Sequence, residues 1–166
     1  MPATLVYGQF FSAQRLPLTI SERSLWVDVH VTFAWAAYAM LLSASMAGVA
    51  RLIEKDETQC QALDSSIIRG IGMGFALFSG VIVVGSIYTH ELFAEWFRGE
   101  IVEVFSATTW LAYGLALHAR LLSGWRGRRL AWLVIVVAPL LLCSFWSWSL
   151  YQNTYHFFDI VPVPAF

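Results

Sequence analysis

Charged residues are scarce in this sequence. Asp, Glu, Lys and Arg make up 13% of the 166 residues, whereas hydrophobic residues make up 58%, and the mean hydropathy is +0.65. Soluble globular domains carry about 25% charged residues, so this composition indicates an integral membrane protein. The net charge of -1 says nothing about nucleic acid, but no basic face interleaved with aromatic residues appears outside the membrane turns, so nucleic acid is not an expected partner.

Sequence motifs for covalent haem attachment and for hydrolysis are also missing. No Cys-x-x-Cys-His, Gly-x-Ser-x-Gly, His-Glu-x-x-His or phosphate-binding glycine loop is present. The apolar runs contain almost no carboxylates, which argues against a proton-pumping relay. We therefore expect a protein that is not an enzyme. The two cysteines do not form a metal or disulfide framework; Cys60 is predicted as a solvent-facing thiol in a polar loop and Cys143 as a small core residue.

Four apolar runs dominate the rest of the chain, at about residues 26–52, 67–88, 102–121 and 130–150. At 1.5 Å of helical rise per residue, each reaches about 30 Å, which is the hydrocarbon thickness of a bilayer. The predicted fold is an all-α integral membrane four-helix bundle over residues 25–152. Residues 1–24, which lack a signal-like pattern, are predicted as an outer-side arm, and residues 153–166 as an outer-side tail.

Basic residues predict the orientation of this bundle. The loops after the first and third runs hold seven Arg and Lys residues between residues 51 and 129, and the opposite side holds three. By the positive-inside rule, the richer loops face the cytoplasm and both termini lie on the outer, periplasmic side of a bacterial inner membrane. The second run contains five glycines, which predict that its backbone approaches a neighbouring helix closely. They are Gly70, Gly72, Gly74, Gly80 and Gly85.

Three of the four histidines, His30, His90 and His156, fall on the outer side in this topology. Two histidines from different helices can hold a haem iron against a bundle, so His30 and His156 are candidate ligands. Nearby aromatic residues could pack against a porphyrin, although Trp and Tyr are also enriched at any membrane interface. His90 is either a spare ligand or an interface residue. His118 lies about 30 Å away by helix rise, where capping of helix carbonyls or contact with lipid headgroups is expected.

Three segments share their residue spacing with a known family. They are Ser24, Trp26, His30 and Val31; then Glu103, Trp110, Tyr113, His118 and Arg120, followed by Gly-Trp-Arg-Gly-Arg-Arg at 124–129; and Tyr155-His156-Phe157. The chain thereby resembles the cytochrome c assembly proteins, the CcsA/CcmC haem-handling family with a tryptophan-rich outer loop. Its members carry Ser-x-Trp-Leu-x-x-His-Val, then Glu-x6-Trp-x2-Tyr-x4-His-x-Arg with the glycine-arginine turn, and a second outer histidine.

The resemblance implies that His30 and His156 ligate haem, here expected to be haem b. It also implies that Trp26 and Trp96 flank the ring and that Glu103 or Arg98 lies near a propionate. The family loop Trp-x-Trp-Asp-Pro-Lys-Glu is replaced by residues 97–103, in which only Glu103 is retained. The chain also has four spans where relatives have six or more.

Two functions therefore stay open. The chain is either a haem-binding membrane subunit for haem handling or electron transfer, or a non-catalytic accessory subunit without haem in a larger respiratory or photosynthetic complex. In both cases we expect the lipid bilayer and other membrane-protein subunits as partners.

Overall fold

The computed structural model describes residues 25–150, with side chains described as far as residue 147. This part of the chain forms four α-helices: α1 (Leu25–Ile53), α2 (Glu57–Phe93), α3 (Ile101–Leu121) and α4 (Arg128–Leu150). Each helix packs antiparallel to the next, and α4 packs against α1 to close the bundle. The predicted arm of residues 1–24, the predicted tail and His156 lie outside the described residues.

The bundle has two ends, which we name by their chemistry. The histidine end contains the start of α1, the end of α2, the loop of residues 94–100 and the start of α3. The arginine end contains the end of α1, the start of α2 and the turn between α3 and α4. Because His30 and His90 lie at one end and His118 lies near the other, the predicted grouping of the histidines is confirmed for these three residues.

Helix α2 is longer than the apolar run from which it was predicted. Asp56 is its N-cap, and the Asp56 carboxylate accepts a hydrogen bond from the Gln59 backbone N–H at 2.9 Å. This cap satisfies one of the donors that a helix start leaves unpaired, so the helix begins in the polar segment. It continues to Phe93 and ends at Ala94, which adopts a left-handed backbone conformation with φ 58°.

The predicted environments of both cysteines were wrong. Cys60 lies in the first turn of α2 and is buried, with its Sγ 3.7 Å from the carbonyl oxygen of Glu54. Cys143 lies on an exposed face of α4. The error followed from equating helix with hydrophobicity, since the polar residues around Cys60 form a capped helical turn that folds back onto the end of α1.

Glycine residues of α2 bring it close to α1. A Cβ atom built at Gly70 would lie 2.8 Å from the Cβ of Ala44, and one at Gly74 would lie 2.6 Å from the side chain of Leu41. Gly80 and Gly85 meet Phe33 and His30 in the same way, whereas Gly72 has nothing within 4 Å. The predicted close approach is therefore confirmed for four of the five glycines, because only the missing side chains allow this spacing.

Hydroxyl groups connect the helices through an otherwise apolar interior. The Ser144 hydroxyl lies 3.1 Å from that of Tyr38 and 3.0 Å from that of Ser106, so one side chain joins α4 to α1 and α3. Thr109 donates to the Leu140 carbonyl of α4 at 3.0 Å, next to Pro139. Because lipid supplies no hydrogen-bonding partner, such contacts stabilise helix association within a membrane.

Three of the four helices are long and apolar enough to cross a membrane: Leu25–Ile53, Glu57–Phe93 and Arg128–Ser147. Large hydrophobic side chains project outward from them, including Met46, Met73 and Val136 at 67%, 55% and 66% exposure. This outward apolar surface suits contact with lipid. The chain is a multi-pass membrane protein. The shorter helix α3 does not satisfy the same hydropathy criterion, so its crossing stays a prediction.

Candidate functional site

The imidazole of His30 bonds to the backbone of the neighbouring helix. Its Nδ1 lies 3.0 Å from the carbonyl oxygen of Val81 in α2. A carbonyl oxygen can only accept a hydrogen bond, so we assign the proton of the neutral ring to Nδ1. The Nε2 atom then carries the free lone pair. Metal-binding histidines commonly donate their second N–H to a backbone carbonyl in this way, which fixes the ring and its tautomer.

Gly85 provides the space that the His30 ring occupies. A Cβ atom at residue 85 would lie 3.0 Å from Cε1 and 3.2 Å from Nδ1 of His30. Gly85 also follows Val81 by one helical turn, so the two residues present a flat surface and a carbonyl to the same imidazole. The glycines that bring α1 and α2 together therefore also determine the position of His30.

Trp26 lies one turn before His30, on the same face of α1. Its indole Nε1 donates a hydrogen bond of 2.7 Å to Oε1 of Glu91 near the end of α2. The pair is exposed at the histidine end. This contact places the predicted flanking residue Trp26 on the same side of the α1–α2 interface as His30.

Trp96 packs against His90 instead of His30. The two rings are stacked with their centroids 4.2 Å apart and an interplanar angle of 23°. Both residues are exposed, with Trp96 at 61%. Nearby, the guanidinium of Arg98 lies 3.9 Å from the centroid of the Phe93 ring. The end of α2 and the loop thus place two aromatic rings, one imidazole and one cation at the histidine end.

Glu103 caps the start of α3. Its Oε2 accepts hydrogen bonds from the backbone N–H groups of Arg98, at 2.9 Å, and Glu100, at 3.2 Å. With Glu100 as N-cap, the two residues form a capping box that holds the end of the loop against α3. The Arg98 side chain lies 3.6 Å from Glu100 and 3.8 Å from Glu95. A role for Glu103 or Arg98 near a propionate stays a prediction.

The structure brings four of the five predicted site residues, Trp26, His30, Trp96 and Glu103, to the same end of the bundle. Because His156 lies outside the described residues, its pairing with His30 stays a prediction. Within residues 25–147, no group of three or more His, Cys, Asp and Glu side chains could hold a metal ion. A haem iron, by contrast, requires only one or two protein ligands.

His118 has a separate structural role. Its Nδ1 lies 2.8 Å from the Gly114 carbonyl oxygen, one turn back in its own helix. Since Gly114 lies inside α3 and not at its end, the predicted capping of terminal carbonyls or contact with lipid headgroups by His118 stays a prediction.

Three supporting residues were missed by the sequence analysis: Val81, Gly85 and Glu91. Val81 acts through its backbone carbonyl, for which the residue type gives no signal. Gly85 was recognised as a packing residue but not as the neighbour of His30. The signal that could have identified Gly85 and Glu91 is the antiparallel register of α1 and α2, since residues near 26 and 30 must then face residues near 91 and 85.

Comparisons with known proteins identify the family of this chain. Residues 3–156 match the family model described as Cytochrome C assembly protein. The chain is 29% identical to the cytochrome c biogenesis protein CcsA of Chlamydomonas reinhardtii over 125 residues, which cover 70% of this chain and 35% of that protein. It is 27% identical to CcsA of Synechococcus sp. strain RCC307 over 153 residues, covering 72% of this chain and 49% of that relative.

The CcsA protein of Heterosigma akashiwo strain NIES-293 is 29% identical over 143 residues, covering 79% of this chain and 43% of the relative. The chain thus spans half or less of the length of these three relatives. No solved structure matches. Because the family model extends over nearly the whole sequence, including the segments that carry His30, Trp96 and Glu103, the chain belongs to the cytochrome c assembly protein family.

Proposed function

We propose that this protein binds haem b at the histidine end and handles haem for cytochrome c biogenesis. In this proposal His30 supplies one axial imidazole and His156 supplies the second. The role is one of binding and presentation and not of catalysis. The relatives are named as cytochrome c biogenesis proteins, and this name supports a role for the present chain in cytochrome c biogenesis.

One observation carries the proposal, namely the hydrogen bond between His30 Nδ1 and the Val81 carbonyl. It leaves Nε2 as the ring atom with an available lone pair, which is the donor that haem iron requires. Gly85 leaves space for the ring in this orientation. The residues present therefore fit a haem ligand, and the bound group would supply a redox-active iron.

The packed interior supports a site at the end of the bundle. Leu41, Phe78, Tyr113 and Leu141 fill the centre, each at 1% exposure or less. A porphyrin is far larger than the gaps that such packing leaves. Haem would therefore lie at the histidine end, where Trp26 and Trp96 would flank it and Glu103 would hold the loop in place.

The membrane arrangement is part of the same proposal. We propose that α3 also crosses the bilayer, because it packs between α2 and α4 and exposes Leu111 and Leu115 at 63% and 65%. With four spans, both termini lie on the outer side of a bacterial inner membrane, and the excess of arginine at the other end supports this orientation. Other membrane-protein subunits are expected as partners.

The alternative is an accessory subunit without haem, and one observation favours it. The loop that corresponds to the tryptophan-rich loop of the family is here bound to its own surroundings through the Trp96–His90 stack and the bonds to Glu103. Such a loop could pack against another subunit of a respiratory or photosynthetic complex.

Visible spectroscopy decides between the two functions. The full chain is expressed in cells supplied with haem precursor, and the Soret band is measured after purification in mild detergent. We expect a Soret band that is lost in His30→Ala and strongly weakened in His156→Ala. The control variant, His118→Ala, changes a histidine at the arginine end and should retain the wild-type spectrum. Absence of a Soret band in the wild type, with stoichiometric co-purified subunits, would establish the accessory function.

A further inference from the structure

The turn between α3 and α4 concentrates positive charge. Arg120, Arg126, Arg128 and Arg129 lie within ten residues, and no carboxylate occurs between residues 104 and 150. Among the side chains that the structure describes, ion pairs are formed by Arg51 and Arg98 but by none of these four arginines. We call residues 120–129 the arginine turn. Within the described part of the protein, these four arginines therefore have no direct ion-pair partner.

The backbone of the arginine turn is ordered by its own contacts. Gly124 and Gly127 adopt left-handed conformations with φ of 67° and 56°, which suit glycine because it has no side chain. The Trp125 backbone N–H donates to the Ala119 carbonyl at 3.1 Å. The arginines are therefore presented from a defined turn, which lowers the entropic cost of binding a ligand.

Nearby carboxylates are engaged elsewhere at the arginine end. Asp64 pairs with Arg51, with 2.8 Å between Oδ1 and Nε. Asp56 caps α2, and Glu54 accepts hydrogen bonds from the backbone N–H groups of Lys55 and Asp56. The contacts of these acidic residues stabilise the connection between α1 and α2. They do not form ion pairs with the arginine turn.

The four arginines differ in the hydrogen bonds that their guanidinium groups already make within the protein. Arg128 donates to the Leu52 carbonyl at 2.9 Å and so fastens the turn to α1. Arg126 and Arg129 are exposed and make no hydrogen bond to another described side chain or carbonyl. The Nε of Arg120 is buried and has no acceptor among the described residues. The exposed guanidinium groups of Arg126 and Arg129 are thus available to an acceptor from outside the chain.

Apolar side chains lie beside these cations. Leu121, Leu122 and Trp125 are 68%, 80% and 38% exposed. Cations next to exposed apolar groups match the boundary where lipid phosphates meet acyl chains, and Trp is enriched at that depth. Guanidinium groups bind phosphate oxygens with two parallel hydrogen bonds, which an ammonium group cannot do.

We propose that the arginine turn is a binding site for the phosphate headgroup of an anionic phospholipid, with Arg126 and Arg129 as the ligands. The site is at the opposite end of the bundle from the proposed haem site and does not depend on it. Leu121, Leu122 and Trp125 would contact the acyl chains of the bound lipid.

Lipid retention by the full chain tests this site. The purified protein is delipidated in detergent and titrated with phosphatidylglycerol, phosphatidylcholine or inorganic phosphate, and bound lipid is counted by native mass spectrometry. We expect saturable binding of phosphatidylglycerol and little of phosphatidylcholine. In the double variant Arg126→Gln/Arg129→Gln, affinity for phosphatidylglycerol should fall about 30-fold, as expected for two basic side chains at an anionic surface.

A matched control separates a site from general attraction. The double variant Lys55→Gln/Arg69→Gln removes the same charge from the same end but leaves the arginine turn intact, so it should bind phosphatidylglycerol within about threefold of the wild type. An equal loss in both double variants, or equal binding of phosphatidylcholine, overturns the proposal. Competition by millimolar inorganic phosphate alone would identify the ligand as a free anion and not a lipid. Circular dichroism of both variants verifies their folding.

Discussion

The two interfaces of α2 are built in opposite ways. Against α1, the contact is made by glycines, which have no side chain. At Gly70 the two backbones are so close that an added Cβ would lie 3.1 Å from the Met40 carbonyl oxygen. Against α3, the contact is made by large rings, since Phe75 and Trp110 stack with 5.4 Å between centroids. Small residues allow backbones to approach, whereas aromatic residues keep them apart.

This difference determines which polar contacts each interface can form. Across the close α1–α2 interface, a side chain reaches a backbone carbonyl, as His30 does at Val81. Across the wider α2–α3 interface, one side chain meets another, as the Trp110 indole N–H donates to the Ser79 hydroxyl at 2.8 Å. A backbone acceptor cannot be lost by substitution, so the close interface suits a ring that must keep one tautomer.

The largest expected effect comes from a substitution that disrupts the close α1–α2 interface. Gly70→Val would press a branched side chain onto Ala44 and the Met40 carbonyl. Because backbone atoms cannot move aside, we expect a loss of about 3 kcal/mol in the free energy of unfolding. The measurement is thermal unfolding in detergent, followed by helical circular dichroism.

The control for this substitution is Gly72→Ala. Residue 72 has nothing within 4 Å, and alanine favours helix over glycine by about 0.5–1 kcal/mol. The control should therefore be as stable as the wild type or more stable. Equal destabilisation by both substitutions would show that α2 does not use its glycines for packing against α1.

A second substitution acts on the site through the same interface. Gly85→Ala would place a methyl group 3.0 Å from His30 Cε1, and the ring would rotate away from the Val81 carbonyl. Loss of such a supporting hydrogen bond typically weakens metal binding 10–100-fold, so we expect about tenfold weaker haem binding. Haem titration followed at the Soret band measures it.

The control for Gly85→Ala lies farther along the same interface. Gly80→Ala would press on the Phe33 ring, with 2.6 Å to Cδ1, but would not touch His30. It should lower stability without changing the affinity for haem. If both variants bound haem as tightly as the wild type, His30 orientation would not depend on Gly85.

The wider interface should respond more weakly. Trp110→Phe keeps an aromatic ring against Phe75 but removes the hydrogen bond to Ser79. We expect a loss of about 1 kcal/mol, typical of one hydrogen bond in a membrane protein. Unfolding free energies of Trp110→Phe, Ser79→Ala and the double variant measure it. If the two single losses simply add, the contact contributes nothing of its own.

The smallest expected effect is at Gly114, a glycine of α3 that faces Phe75 across the wider interface. Its added Cβ would lie 3.2 Å from Cε2 of Phe75, which is the outer part of a movable ring. Improved helix propensity would offset the crowding, so Gly114→Ala should change stability by less than about 0.5 kcal/mol. A loss as large as that of Gly70→Val in the same thermal assay would contradict the difference between the interfaces.

Hydrophobic patterning predicted four helices because each apolar run is long enough to cross lipid. It failed at the start of α2, where Asp56 and Glu57 begin a helix in polar sequence. Capping is a local hydrogen-bonding effect that hydropathy does not contain. The same failure misplaced Cys60, which is buried by the fold of the corner and not by hydrophobic neighbours in the sequence.

The sequence predicted candidate site residues but not the contacts that each of them makes. The sequence indicated Trp26, His30 and Trp96 as members of one site. The stacking of Trp96 on His90 depends on how the loop of residues 94–100 turns back over α2, and the bond from Trp26 to Glu91 depends on the register of α1 against α2. Such contacts join residues whose separation in sequence carries no periodic signal.

The amino-acid sequence by itself determined the membrane class, the helical content, the glycines of α2 and the arginines that mark one end, since these follow from composition and local spacing. Only the tertiary structure decided that His30 donates to the Val81 carbonyl and so leaves the lone pair of Nε2 free. It also decided that Arg51 pairs with Asp64, whereas Arg126 and Arg129 have no ion-pair partner among the described residues. The physical reason is that the hydropathy of a segment depends only on its own residues, whereas a hydrogen bond or ion pair depends on two groups from different segments lying close together in space.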